Sequence, residues 1–304
     1  MEEKASNVGP AGIDIVFERF GNRDAPTALL IMGVGAQMIH WPDAFCHALA
    51  ERGLQVLRFD NRDSGLSTHM QGTPAPNLPA VLAGDLSSVS YTLSDMAADI
   101  VGLLDFLNID EAHVVGASMG GQIAQTMAIE HPKRVRSLTS MMSTTGNMRV
   151  GQPRPEVLRD LFSGPPAVTR EDVVRRMILA SQMVGSPRYR ADESEVGARA
   201  GRAYDRSHDP AGTARQAIAT IASGDRTERL REVQAAALVI HGLDDRMCDV
   251  SGGQATAEAI SGAELVLIEG MGHDLGPREQ LVTQIAEFVW RVERKKNLGA
   301  AALD

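Results

Sequence analysis

Over the first half of the chain, short apolar runs bounded by turn residues alternate with stretches whose apolar residues recur at helical spacing. Ile13–Phe20 (IDIVFERF), Thr27–Gly33 (TALLIMG) and Leu54–Asp60 (LQVLRFD) read as strands. Between the last two, Trp41–Gly53 has the helical pattern and ends on a glycine that can cap it. Tyr91–Ile109 is a second amphipathic helix, with Thr92 and Asp95 in the positions of a capping box. Ala112–Ala117 then reads as a strand, Met119–His131 as a helix stopped by Pro132, and Val135–Ser143 as another strand. Nearly continuous apolar strands alternating with helices imply a mostly parallel sheet covered on both faces. The expected class is α/β.

The rhythm breaks after Ser143. Pro155–Phe162, Thr169–Val184, Glu193–Tyr204 and Ala211–Ala222 are all helical in pattern, and Gly and Pro separate them. The strand–helix alternation resumes with Ala236–Gly242, a helix over Ser251–Ile260, the strand Ala263–Gly270 and a last helix over Arg278–Lys296. An all-helical block between two halves of one sheet is an insertion. The chain is therefore expected to form one discontinuous core domain, residues 1–144 and 233–304, with residues 145–232 as a helical cap.

Composition narrows the partners. The 304 residues are 43% hydrophobic and 23% charged, with a formal net charge of −9. That balance repels phosphate backbones and anionic membranes, so nucleic acid is not an expected partner. The basic clusters Lys133–Arg136 and Arg291–Lys296 sit at expected helix ends, where cations suit the dipole. No apolar run approaches the roughly 20 residues of a membrane span. The acidic start, MEEKASNVGPAG, lacks the apolar stretch of a secretory signal. Cys46 and Cys248 belong to no disulfide framework and to no Cys/His metal pattern. A cytoplasmic, reduced setting is expected, with no metal and with oligomeric state open, a homo-oligomer included.

The stretch HVVGASMGGQIAQ, His113–Gln125, carries the first chemistry. A strand runs into Ser118 and a helix leaves directly after it. So sharp a turn crowds any Cβ at Gly116 or Gly120, and the result is G-x-S-x-G with the hydroxyl projected above the carboxyl ends of the strands. A serine nucleophile needs a base and the base an orienting acid. Of the eight histidines, His273 follows the last strand in a Gly-rich loop on that same edge. Helix, strand or polar-loop positions suit the others better to packing or solvent, although His40 is placed to line a pocket. The acid is Asp244 or Asp245, after the strand ending at His241; the stretch Met141–Val150 after the preceding strand has no Asp or Glu. The glycines of Gly33–Gly35 lack the third glycine of a dinucleotide fingerprint, and no P-loop occurs, so no cofactor is expected.

In this order the stretches IMGVG, RFDNRDSGLS, YTLSDMAADIVGLLD, GASMGG, LVIHGLDD and GMGH resemble the α/β-hydrolase superfamily over nearly the whole chain. The resemblance implies an α/β-hydrolase fold and a Ser–Asp–His triad. HGLDD matches the superfamily's H-G-x-x-D, which assigns the acid to Asp245 and leaves Asp244 a loop neighbour. It also implies an oxyanion hole made by the backbone N–H groups of Val34 and Met119. Met32 stands where histidine is common. Asp63, at a position that is glycine in many members, and WP after the MG loop are similar to the branch containing aclacinomycin methylesterase. Arg62 and Asp63 are expected to form a turn-stabilising ion pair.

The expected function is a serine hydrolase of small-to-medium carboxylic esters. Rivals with the same triad are carbon–carbon bond hydrolases, lactonases and cofactor-free perhydrolases; a ligand receptor of low turnover is the rival outside catalysis. Flexible thioethers among the 14 methionines suit an adaptable pocket. Met38 and His40 near the oxyanion loop, and Met177 and Met183 in the insertion, are the candidate pocket residues.

Overall fold

The computed structural model describes residues 1–162 and 167–301. Residues 163–166 of the expected cap and 302–304 of the expected core lie outside them. The strands β1 (Glu3–Val8), β2 (Ile13–Phe20), β3 (Thr27–Ile31), β4 (Gln55–Phe59), β5 (Ala112–Ala117), β6 (Val135–Met141), β7 (Ala236–Gly242) and β8 (Glu264–Ile268) form one sheet. Its order is β1-β2-β4-β3-β5-β6-β7-β8. The β1–β2 and β2–β4 pairs are antiparallel and the rest parallel. The chain therefore has the α/β-hydrolase architecture.

The central strands are largely apolar because both faces are covered. Neighbouring residues of a strand point to opposite layers. Leu29, Val114 and Leu138 pack with Ile100 and Leu103 of α3 (Leu93–Phe106) and Ile123 and Met127 of α4 (Met119–Glu130). The chain neighbours Leu30 and Val115, with Ile240 of β7, pack on the other side. There they meet Phe45 and Leu49 of α1 (Asp43–Glu51) and Leu281, Ile285 and Phe288 of α11 (Arg278–Ala301). The capping box at Thr92 and Asp95 is present. The strand β1 departs from the sequence reading. Only Ala5 and Val8 of it are buried, so this edge strand shows no apolar alternation.

Between β6 and β7 lie α5 (Pro155–Phe162), α6 (Arg170–Val184), α7 (Glu193–Arg206), α8 (Pro210–Ala222) and α9 (Thr227–Leu230). Among the described residues of this stretch there is no strand. A short helix, α2 (Leu78–Leu82), precedes α3, and α10 (Ser251–Ala259) joins β7 to β8. Among the described residues, no helix is long and apolar enough to cross a membrane.

Buried charges join the insertion to the core. The expected Arg62–Asp63 pair is not formed, because the turn sends the two side chains apart, with Asp63 at φ 63°. Arg62 binds both carboxylate oxygens of Asp99 on α3, at 2.5 and 2.6 Å. Asp63 instead receives Arg215 of α8 in a two-point bond of 2.8 and 2.7 Å. Tyr91 Oη and the Met70 N–H also donate to it, each at 2.7 Å. Burial pushes the Asp63 pKa up, but Arg215 and the other donors outweigh it and hold the carboxyl below its ordinary value.

Truncating one partner of a fully buried pair strands the other charge, which typically costs about 3–5 kcal/mol. Arg215→Ala is therefore expected to lower unfolding free energy by about that amount in denaturant titration. A loss under about 1 kcal/mol contradicts a structural role for the pair.

Candidate active site

The strand β5 enters Ser118 and α4 starts at the next residue, which leaves Ser118 at φ 57° and ψ −122°. A non-glycine residue in such a conformation costs about 1–3 kcal/mol. Hydrogen bonds hold it there, three of them under 3.1 Å. Ser118 N–H donates to Met141 O at 3.0 Å, and Ser118 O accepts from Gly121 N–H at 2.9 Å and from Ser143 Oγ at 2.8 Å. At about 1 kcal/mol net each, they offset the strain. The approach is too close for side chains on either side. A Cβ on Gly116 would stand 2.0 Å from Gly120 O, and one on Gly120 would stand 2.1 Å from Ile31 O.

The other two candidates arrive from loops at the same edge. His273, after β8, places Nε2 3.1 Å from Ser118 Oγ and Nδ1 2.8 Å from Asp245 Oδ2. Asp245, after β7, is aimed by the Met247 and Cys248 N–H groups, which donate to its Oδ1 at 2.9 and 2.8 Å. With Nδ1–H donating to the carboxylate, the Nε2 lone pair is left to accept the serine proton. Asp244 points elsewhere, accepting Gly270 N–H on Oδ2 at 2.8 Å. His241 also lies near Asp245, at 3.5 Å, but its Nε2 donates to Cys248 O at 2.8 Å. Burial lowers the basicity of His273, whereas the Asp245 charge and hydrogen bond, with the Asp274 charge, outweigh that and leave its pKa raised.

The loop after β3 passes close to the serine, since a Cβ on Gly33 would lie 3.0 Å from Ser118 Cβ. Among the described residues, no hydrogen bond occupies the N–H of Val34 or of Met119. The neighbouring amide is tied down: Gly35 N–H donates to Gln216 Oε1 at 2.7 Å, while Gln216 Nε2 donates to Arg62 O at 2.7 Å. Gln216, fully buried on α8, escaped the sequence reading because a glutamine on an amphipathic helix looks like a surface residue.

The pocket candidates scatter. Met38 has no accessible surface, its N–H bonded to Asp60 Oδ1 at 2.7 Å, and so offers nothing to a ligand. His40 is half-buried, and burial together with nearby Arg199 lowers its pKa to about 4. Met183 packs against the Val157 and Val184 cluster, as does Met247, two residues after Asp245, whereas Met177 is 37% exposed. Asp63, His69 and Asp209 converge as metal ligands would. Arg215 bonds to both carboxylates there, so a guanidinium already fills the place of a cation.

The alpha/beta hydrolase fold family model matches residues 29–277. Rhodomycin D methylesterase of Streptomyces peucetius is 28% identical over 274 residues, covering 83% of this chain and 86% of that protein. The 2-hydroxy-6-oxononadienedioate/2-hydroxy-6-oxononatrienedioate hydrolase 1 of Dechloromonas aromatica is 29% identical, over 64% of this chain and 65% of its own. In structure, the meta-cleavage product hydrolase of Pseudomonas fluorescens IP01 superposes with a TM-score of 0.73 at 19% identity, covering 95% of this chain and 97% of that one.

The electrostatics have a direct readout. In an imidazole NMR titration His273 is expected to titrate above the ordinary 6.5 and His40 near 4. Asp245→Asn, which removes the attracting carboxylate, is expected to lower the His273 midpoint. A His273 midpoint unmoved by that change contradicts the pairing.

Proposed function

Because the chain belongs to the alpha/beta hydrolase fold family, we propose that it is a serine hydrolase of small-to-medium carboxylic esters. The observation that carries this reading is the chain of contacts from Ser118 Oγ through His273 to Asp245, at 3.1 and 2.8 Å. Neutral His273 takes the Ser118 proton on Nε2 as Oγ bonds to the ester carbonyl carbon. The carbonyl oxygen becomes an oxyanion between the N–H groups of Val34 and Met119. Asp245 holds the ring and stabilises the imidazolium. Collapse breaks the bond to the alcohol oxygen, which leaves with the proton from His273. Water, deprotonated by His273, then attacks the acyl-enzyme; carboxylate product departs and Ser118 regains its proton.

The free N–H groups of Val34 and Met119 support the oxyanion assignment, and one such donor is typically worth about 10²–10³ in kcat. Residues 145–232 act in this reading as a substrate-shaping cap. Met183, which shares the Val157 and Val184 cluster with Met247, is its best-placed pocket residue, while the exposure of Met177 speaks against an equal part. Likeness to the methylesterase favours ester over other acyl substrates.

A fluorophosphonate probe is expected to label the wild type once and to leave Ser118→Ala unlabelled; labelling that survives in the variant refutes the nucleophile. Asp245→Asn is expected to lower kcat by orders of magnitude, about 10⁴ in the serine-protease precedent, at little changed KM. Asp244→Asn should stay within about tenfold, or ~1.4 kcal/mol. The reverse ranking contradicts the acid assignment. A panel of esters, lactones, 2-hydroxy-6-oxo-dienedioates and peracid assays separates the reaction classes. Over an ester chain-length series, Met183→Ala should shift preference more than Met177→Ala, and an unchanged series in both rejects the cap's role.

For pH, the active form of His273 is the neutral one. Its raised pKa puts the acid limb of kcat/KM above the ordinary histidine midpoint, with activity lost as pH falls through it. An acid limb below that midpoint contradicts this account.

A further inference from the structure

The loop that carries His273 is gripped from two directions. From the core side, Asp244 Oδ2 accepts Gly270 N–H at 2.8 Å and Asp244 N–H donates to Met271 O at 3.0 Å. From the other side come the last residue of α6 and the segment that follows it. Val184 O accepts His273 N–H at 2.6 Å, and Arg188 N–H donates to Gly270 O at 3.2 Å. Between these two contacts sits Ser186, buried at 2% exposure. Its Oγ accepts Gly272 N–H at 2.9 Å and donates to Asp274 Oδ1, while its N–H donates to Asp274 Oδ2 at 2.9 Å. Asp274 Oδ1 also accepts Gly276 N–H at 2.9 Å.

This contact has little slack. A Cβ on Gly272 would stand 2.5 Å from Val184 O, and one on Gly276 would stand 2.7 Å from Ser186 Oγ. The Ser186 hydroxyl both accepts and donates, which neither alanine nor a hydrophobe reproduces. Asp274 is chain neighbour to His273, so a shift in the Ser186–Asp274 contact moves the imidazole directly. None of these bonds is needed for the mechanism as written, and α6 could end near the loop without them.

We propose that Ser186 and Asp274 are positioning residues for His273, forming a hydroxyl–carboxylate clasp through which the helical insertion sets the imidazole between Asp245 and Ser118. The proposal rests on the serine-hydrolase reading of the site. It makes the insertion part of the catalytic geometry as well as a cover over it. Misplacement of a reacting group by about 1 Å can cost about 10² in rate, so small displacements of this loop matter.

The clasp has an electrostatic consequence that a packing contact lacks. The carboxylates of Asp245 and Asp274 both favour the protonated form of His273. On the far side of Asp245 stands His241, whose own pKa burial lowers. Beside Asp274 lie Arg199 of α7 and, near it, Arg278, which pairs with Glu195 at 3.3 Å. Removing the Asp274 charge leaves Asp245 as the one carboxylate acting on the ring, so the His273 midpoint falls.

The experiment is the rate of fluorophosphonate labelling at Ser118 across pH, in the full chain, for wild type, Ser186→Ala, Asp274→Asn and Asp274→Ala. Circular dichroism checks each fold. Ser186→Ala is expected to lower the plateau rate by about 10- to 100-fold. Both Asp274 variants are expected to shift the acid midpoint to lower pH, with a smaller plateau loss in Asp274→Asn, which keeps an acceptor oxygen. Should Ser186→Ala fail to fold, the midpoint in Asp274→Asn decides. A midpoint unchanged in Asp274→Asn, or a wild-type rate in folded Ser186→Ala, overturns the clasp. Wild-type protein unlabelled at Ser118 overturns the serine-hydrolase reading instead, so the two failures are distinct.

Discussion

The backbone at Ser118 is the constraint on which the site depends. A non-glycine residue at φ 57° is held in place by bonds from Met141, Gly121 and Ser143. The parallel strands β5 and β6 supply the first of these, and the helix that leaves the turn supplies the second. Each bond is modest alone, but together they match the strain, so the hydroxyl has one fixed place. Everything else in the site is measured from it. The loops after β3, β7 and β8 bring amides, carboxylate and imidazole to the same edge because parallel strands present all their carboxyl ends on one side.

The helical insertion reaches that edge at several separate points. Gln216 of α8 accepts the Gly35 N–H, next to the amide of Val34. Gln37 extends the contact, its Nε2 donating to Ala203 O at 2.7 Å and to Ser207 O at 3.0 Å. Ser186, after α6, grips the histidine loop. The buried Asp63–Arg215 pair fastens α8 to the turn after β4. A freely swinging lid would have to break buried polar contacts, each left costly when unpaired. The insertion is therefore read as a brace as well as the proposed cap.

Much of this was legible in the sequence where the signal is local. Strands buried on both faces are largely apolar, so β3 to β7 stand out, and the fold class follows from their alternation with helices. The glycines around Ser118 and the spacing from His241 to Asp245 are likewise short-range patterns, and the distances bring Ser118, His273 and Asp245 together. Long-range polar partners were not legible. Arg62 and Asp63 read as each other's partners, yet their ions lie on α3 and α8, because adjacent side chains in a tight turn diverge. Gln216 and Ser186 look like surface polar residues, and only the packed structure shows them buried. Met38 looked like a pocket residue because of its loop; the small turn it begins folds inward. The strand β1 was invisible because an edge strand with two buried residues carries no alternation.

In the proposed reaction one hydroxyl, Ser118, carries the acyl group during turnover. A slowly deacylating p-nitrophenyl N-alkylcarbamate tests it most directly, with p-nitrophenol release followed alongside residual esterase activity and peptide mass. Release of p-nitrophenol is expected in step with the loss of activity, with the carbamoyl group on the Ser118 peptide. Ester hydrolysis that continues in protein fully carbamoylated at Ser118 would contradict it, as would inactivation with that peptide unmodified.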